Sequence, residues 1–302
     1  MKKEKMQITL TGDIPGLGKP GETVELTVTP SDMAIGKEIA DHISGYRNGI
    51  YRADEVSPIV LVGEDSGHPF VRRQIGSFID SDHLEFTKLA AQRCKNALDL
   101  DRECDVFQTL LGERENWDAS VRTSVSCVQN IGGGLSDPIR HIQVAIKKSS
   151  RLVTDIWFNR TIAGVFIQHP AVQERIGPAG FDAINESLMK SSIQKVDFEI
   201  PELPLFHVVA SKVVGPTGRL EYTMGDVVLL THTPAVIRND GGELCETASS
   251  YTFRKRGPYG NGYSVKLFRV EGCDGGLLVV ATYDSEALTN PTAGGIVTDV
   301  LR

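Results

Sequence analysis

Residues 82–111, DHLEFTKLAAQRCKNALDLDRECDVFQTLL, decide how the rest of the chain is read. Phe86, Ala90, Cys94, Ala97, Leu98, Cys104, Phe107 and Leu111 recur at steps of three and four, with one gap around Asp101. That is the period of a helix with a single apolar stripe, so one long helix is predicted over the whole stretch. Asp82 can accept from the first-turn amides with Glu85 three positions on, as in a capping box, and Gly112 is a suitable stop. At 1.5 Å per residue such a helix is roughly 45 Å long, well beyond the usual globular helix. It needs an elongated body to lie against.

Upstream, Pro58-Ile59-Val60-Leu61-Val62 and Phe70-Val71-Arg72-Arg73-Gln74-Ile75 read as two strands. Gly63-Glu64-Asp65-Ser66-Gly67-His68-Pro69 between them is rich in turn formers, which predicts a hairpin with a seven-residue loop. The first 30 residues hold Gly12, Pro15, Gly16, Gly18, Pro20, Gly21 and Pro30, so an extended arm with at most short strands is expected there. Downstream, Asp137 followed by Pro138 is a cap and a first-turn proline, with Ile139, Ile142 and Ile146 on one face of the helix they open. Leu152 to Phe158 reads as a strand, Asn159 caps a short helix to Gln168, and Pro170 opens another helical stretch ending near Gly177. Beyond Lys195 the character turns to β, with apolar runs at Phe206 to Val214, Asp226 to Leu230, Tyr263 to Val270 and Leu277 to Tyr283. The class is α+β, with segregated rather than regularly alternating elements.

The 302 residues are 40% hydrophobic and 24% charged, enough to bury a real core. The apolar stretch that should follow Met1-Lys2-Lys3-Glu4-Lys5 in a signal peptide is interrupted by Thr11, Gly12, Asp13 and Pro15, so export is not expected. No run of about 18 apolar residues exists to span a membrane. Cys94, Cys104, Cys127, Cys245 and Cys273 form no CxxC pair, which argues against a disulfide framework or a zinc knuckle. A net charge of −7 opposes a broad phosphate-tracking surface.

Reaction chemistry is hard to find. Gly12 to Lys19 is one residue too long for a phosphate loop, and Pro20 replaces the metal-binding hydroxyl. Gly132-Gly133-Gly134 lacks dinucleotide-loop spacing, and Pro258-Tyr259-Gly260-Asn261-Gly262 reads as a turn. His42, His68, His83, His141, His169, His207 and His232 include no pair at helical ligand spacing. Cys94 and Cys104 fall on or near the apolar stripe of the long helix, where they read as core. No catalytic, cofactor or metal residue is assigned. Tyr251-Thr252-Phe253-Arg254-Lys255-Arg256 mixes aromatics with three basic residues, a candidate nucleic-acid contact that in an acidic chain reads better as a solvated strand or a subunit contact. The candidate contact residues are therefore Glu64, Asp65, His68, Arg72 and Arg73 of the expected hairpin with Arg254, Lys255 and Arg256.

Taken in order, these pieces resemble the major capsid proteins of tailed phages with the Hong Kong 97-type fold, from about Ser31 to the C-terminus. Residues 51–60, YRADEVSPIV, look like the segment in which those proteins leave an N-terminal arm for an extended hairpin, the E-loop. Residues 82–111 match their spine helix, with the acidic-rich 99–103 in its middle, and Ser136-Asp137-Pro138-Ile139 is similar to the start of their axial (A) domain. His169-Pro170-Ala171-Val172, the segments 205–213 and 225–230, and 291–300, PTAGGIVTDV, resemble later elements. The chain departs from the family at Ile131 and the three glycines after it, where relatives often carry an aromatic residue, and no crosslinking set can be matched by position.

The resemblance implies a flexible arm over 1–57 and an E-loop over 58–80. It implies a peripheral (P) domain over 81–136 plus 263–290, with the spine helix at 82–111, and an A domain over 137–262 plus 291–302. It implies a non-enzymatic subunit that assembles into hexamers and pentamers as an icosahedral shell around double-stranded DNA. The expected partners are further copies, a separate scaffolding protein, a portal protein and a decoration protein, with no cofactor and no membrane. The expected place is the virion capsid, assembled in the host cytoplasm. An encapsulin-type compartment holding cargo enzymes stays open as an alternative, as does a cysteine-dependent α+β hydrolase.

Overall fold

The computed structural model describes residues 3–14, 16–31, 33–63, 66–79, 83–112, 114–124, 137–190, 195–234, 247–272 and 275–300. In chain order the elements begin with β1 (Glu4–Thr9), β2 (Thr23–Pro30), α1 (Met33–Gly45), α2 (Ala53–Val56), β3 (Ile59–Val62), β4 (Val71–Ile79) and α3 (Leu84–Leu111). After two short 3-10 turns come β5 (Arg122–Ser124), α4 (Pro138–Lys148), β6 (Asp155–Asn159), α5 (Arg160–Ile167) and α6 (Pro170–Lys190). The remainder is β7 (Val196–Phe198), β8 (Leu205–Val209), β9 (Lys212–Val214), β10 (Leu220–Tyr222), β11 (Val228–Thr231), β12 (Ser250–Lys255), β13 (Ser264–Val270), β14 (Gly276–Leu288) and β15 (Gly294–Thr298). The chain divides into two compact units: residues 1–47, 61–98 and 254–285 form unit 1, and residues 48–60, 99–253 and 286–302 form unit 2.

Unit 1 is built on a seven-stranded sheet, β1-β2-β13-β14-β12-β3, with β4 also paired to β14. Residues 4–45, expected to form an arm, contribute a strand pair and a helix. Val24, Leu26 and Val28 alternate along β2, and Val28 is fully buried against Phe268, Val270 and Leu277. Gly12, Gly16, Gly18, Pro20 and Gly21 lie in the connection that joins β1 to β2. Ile39, Ala40 and Ile43 of α1 bury completely with Ala91, Cys94 and Leu98 of α3. Cys94 and Leu98 belong to the predicted apolar stripe; Ala91 does not, and Phe86, predicted to lie on it, is exposed.

The expected hairpin over 58–75 is resolved differently. Its strands exist, but among the described residues each takes another partner: β3 lies beside β12, and β4 pairs antiparallel with β14 from Val71↔Asp284 to Ile79↔Gly276. A two-stranded ribbon is marginal in water, and a nine-residue ladder on a larger sheet satisfies far more backbone.

Unit 2 is a six-stranded sheet, β5-β15-β11-β6-β8-β7, buried on both faces. Successive residues point to opposite sides. Ile156 and Phe158 join a cluster with Ile139 and Ile142 of α4, Ile162 and Phe166 of α5, and Val172, Ile184 and Leu188 of α6. Trp157, Leu229 and Ile296 face the other way, onto Val106, Phe107 and Leu110 of α3. Two glycines let β15 enter this sheet. A Cβ on Gly294, which has φ +148°, would stand 2.3 Å from the Leu230 carbonyl oxygen, and one on Gly295 would stand 2.7 Å from that of Val121.

The helix signals were sound where they can be checked. Asp137 accepts from the Ile139 and Arg140 amides at 3.0 and 3.2 Å, and Asn159 accepts from Ile162 at 2.9 Å. The long helix runs from Leu84 to Leu111, and the expected cap at Asp82 lies outside the described residues. The helix from Pro170 is broken at Gly177 (φ 68°), as expected, but resumes at Pro178 and continues to Lys190.

Candidate functional site

In unit 1 the polar interior centres on Asp284, which no water reaches. Arg254 donates to it through Nε at 2.5 Å and Nη2 at 2.7 Å, Arg73 approaches at 3.4 Å, and the Thr282 hydroxyl donates at 3.1 Å. Two cations on one carboxylate form a fixed strut joining β12, β14 and β4. One residue away, the Tyr283 ring lies 5.7 Å from both the Arg72 guanidinium and the Lys255 ammonium. These are cation–π contacts.

These groups include Arg72, Arg73, Arg254 and Lys255, half of the contact residues expected from the sequence, in two different settings. Arg72 and Arg256 are exposed, Lys255 and His68 are half-buried, and His68 meets the edge of Phe70 at 6.0 Å. Arg73 and Arg254, expected at the surface, are buried with Asp284 because each strand turns alternate side chains inward. Glu64 and Asp65 lie outside the described residues.

Unit 2 carries a larger network that the sequence reading missed. Buried Arg52 donates to Glu55 at 2.8 Å, to Asp197 at 2.7 Å and to the Val196 carbonyl at 3.1 Å. His207 sits between Asp197 and Asp155, 2.8 Å from each, and its ring stacks on Trp157 at 4.0 Å. Burial works against the charged imidazole, but the bonds to Asp155 and Asp197 outweigh it and raise its pKa. Burial would also raise Asp197, yet His207 and Arg52 hold its carboxyl below the ordinary range.

Glu103 of α3 accepts from the Arg52 amide and from the Ser211 and Thr223 hydroxyls. Burial pushes its carboxyl up to about 7 against these bonds. Ion pairs from Arg102 to Asp54 and from Lys195 to Glu55 complete the cluster. The only sequence signal for it was charge standing inside otherwise apolar or structured segments: Arg52, Glu103 and His207.

This arrangement fastens rather than reacts. Both His207 nitrogens are held by carboxylates, so neither is left to activate a nucleophile. Burial pushes the Cys94 thiol up to about 11; burial, then Glu103, Asp101 and Asp105, does the same to Cys104. Neither is a thiolate near neutral pH. Among the described residues no group of three His, Cys, Asp or Glu side chains could hold a metal ion, and no helix is long and apolar enough to cross a membrane. Cys127, Cys245, Cys273 and the glycines at 132–134 lie outside the described residues.

No protein-family model matches the sequence, and no curated protein matches it. Solved structures do match in fold. A phage-related protein from Bordetella bronchiseptica RB50 superimposes with a TM-score of 0.68 at 13% identity, covering 87% of this chain and 96% of that one. A prophage protein from Escherichia coli CFT073, described as its candidate capsid protein, gives 0.53 at 9% identity, covering 89% and 99%. The chain has a mixed α+β fold of the Hong Kong 97-type capsid class.

Proposed function

We propose that this chain is a shell subunit of a tailed-phage head, assembling with its own copies into hexamers and pentamers that close an icosahedral container around double-stranded DNA. The likeness in fold, over 87% and 89% of this chain, to a phage-related protein and a prophage protein carries this reading. The buried networks support it, because their charged side chains are held by one another and fix a framework. In this reading residues 81–136 plus 263–290 serve as the peripheral domain and residues 137–262 plus 291–302 as the axial domain. Exposed Arg72 and Arg256, with half-buried Lys255, serve as subunit contacts. A net charge of −7 suits a container that encloses DNA without gripping its sequence. A scaffolding protein, a portal and a decoration protein are its partners, and the virion capsid, assembled in the host cytoplasm, is its place.

Electron microscopy of native particles, followed by extraction of nuclease-protected nucleic acid, tests the function. Closed shells holding double-stranded DNA are expected. Shells holding a cargo enzyme and no DNA would replace this reading by the encapsulin-type one, and absence of particles would remove both.

A further inference from the structure

β9 and β10 form the one two-stranded sheet in the fold among the described residues, and it stands apart from the two larger sheets. Lys212 pairs with Tyr222 and Val214 with Leu220, so all four side chains share one face. Val214 and Leu220 are 68% and 67% exposed, an apolar cross-strand pair in open solvent. Lys212 covers the Tyr222 ring at 4.5 Å, and at the ribbon's root both border a cleft that Tyr51 and Arg160 also line. Arg219 lies beside Leu220 at the turn. Neither Lys212 nor Arg219 has a carboxylate partner among the described residues.

The opposite character appears at the turn between β7 and β8. Glu199 and Glu202 are exposed there and have no cationic partner among the described residues, with Pro201 and Leu203 between and beside them. β7 and β8 run antiparallel with Phe198↔Phe206 and Val196↔Val208, so this turn lies at the Leu205 end of β8. The ribbon leaves from the Val209 end. At about 3.3 Å per residue the two patches stand on the order of 15 Å or more apart along the strand, so they do not meet within one copy. Complementary patches at opposite ends of one unit are what a heterologous, head-to-tail contact requires.

We propose that the β9–β10 ribbon of one copy docks on the β7–β8 turn of the next, with Lys212 and Arg219 meeting Glu199 and Glu202 around Val214 and Leu220. This rests on the shell reading and names one contact that builds its rings. The partner is a second copy of this chain, because it supplies the unpaired carboxylates that match the ribbon's unpaired cations.

The test is charge reversal, read as the assembled fraction by sedimentation. Lys212→Glu with Arg219→Glu, and separately Glu199→Lys with Glu202→Lys, are each expected to lower assembly at least about tenfold, since like charges facing across an interface are strongly unfavourable. All four substitutions in one chain are expected to restore it. That restoration also shows that loss in the two partial variants is not misfolding. Wild-type assembly in either partial variant, or no restoration in the combined one, overturns the contact while leaving the shell reading intact. A wild-type chain that never assembles removes the shell reading, and this contact with it.

Discussion

The two buried ionic clusters solve the same problem in different ways. Unit 1 gathers Arg73 and Arg254 on one fully enclosed carboxylate, Asp284. Unit 2 spreads its charge over Arg52, Glu55, Asp197, His207 and Asp155, with Asp197 and Glu55 about two-fifths exposed, and adds Glu103 beside them. The first is a rigid strut that fails badly if one member is lost. The second is tolerant of single losses and sensitive to protons.

Asp284→Ala should have the largest effect, because it strands two buried guanidinium groups. Breaking such a pair costs about 3–5 kcal/mol. Hydrogen exchange should show the loss on β4, β12 and β14, and unchanged protection there would break the contrast. Arg52→Met should cost less, about 1–3 kcal/mol, because water can reach the carboxylates left behind. Its loss of protection should fall on residues 52–56 and β7.

The unit 2 cluster should also respond to pH. His207 is raised above its ordinary 6.5, so its contribution is complete below that value and is lost as pH rises through its folded pKa. Glu103 moves from 4.5 to about 7, so ionising it in the fold costs stability as pH climbs across that interval. Both act in one direction: protection in unit 2 should fall between pH 5 and 8. Asp197 sets the acid limit, since its contribution is present above 3.8 and is lost as pH falls through its lowered folded pKa. Glu103→Gln with His207→Phe should flatten the unit 2 profile, and a slope unchanged in that variant would contradict the assignment. Lys3→Ala, which removes an exposed partner of Glu271, should change neither unit measurably.

Much of the fold was legible because it rests on local signals. The stripe from Phe86 to Leu111 found α3, Asp137-Pro138 found α4, and Asn159 found α5. What failed was pairing. The sequence shows β3 and β4 as neighbours with a turn between them, but not that β14 offers β4 a better ladder. The density of Gly and Pro before Pro30 likewise outweighed the alternation of Val24, Leu26 and Val28, which only a sheet with a free edge at β13 makes useful. Among contact candidates, the basic run 254–256 was visible, but which of its members turns inward depends on strand register. Arg52, Asp197, His207 and Asp155 are far apart in sequence and come together only through the β6–β8 pairing and the placement of residues 52–55.

The central claim is that this chain acts by joining copies of itself. The most direct measurement is the mass of the particles formed by the purified full chain, alone and with a scaffolding protein added. Closed particles of many copies built from five- and six-membered rings are expected. A stable monomer under both conditions would contradict the claim.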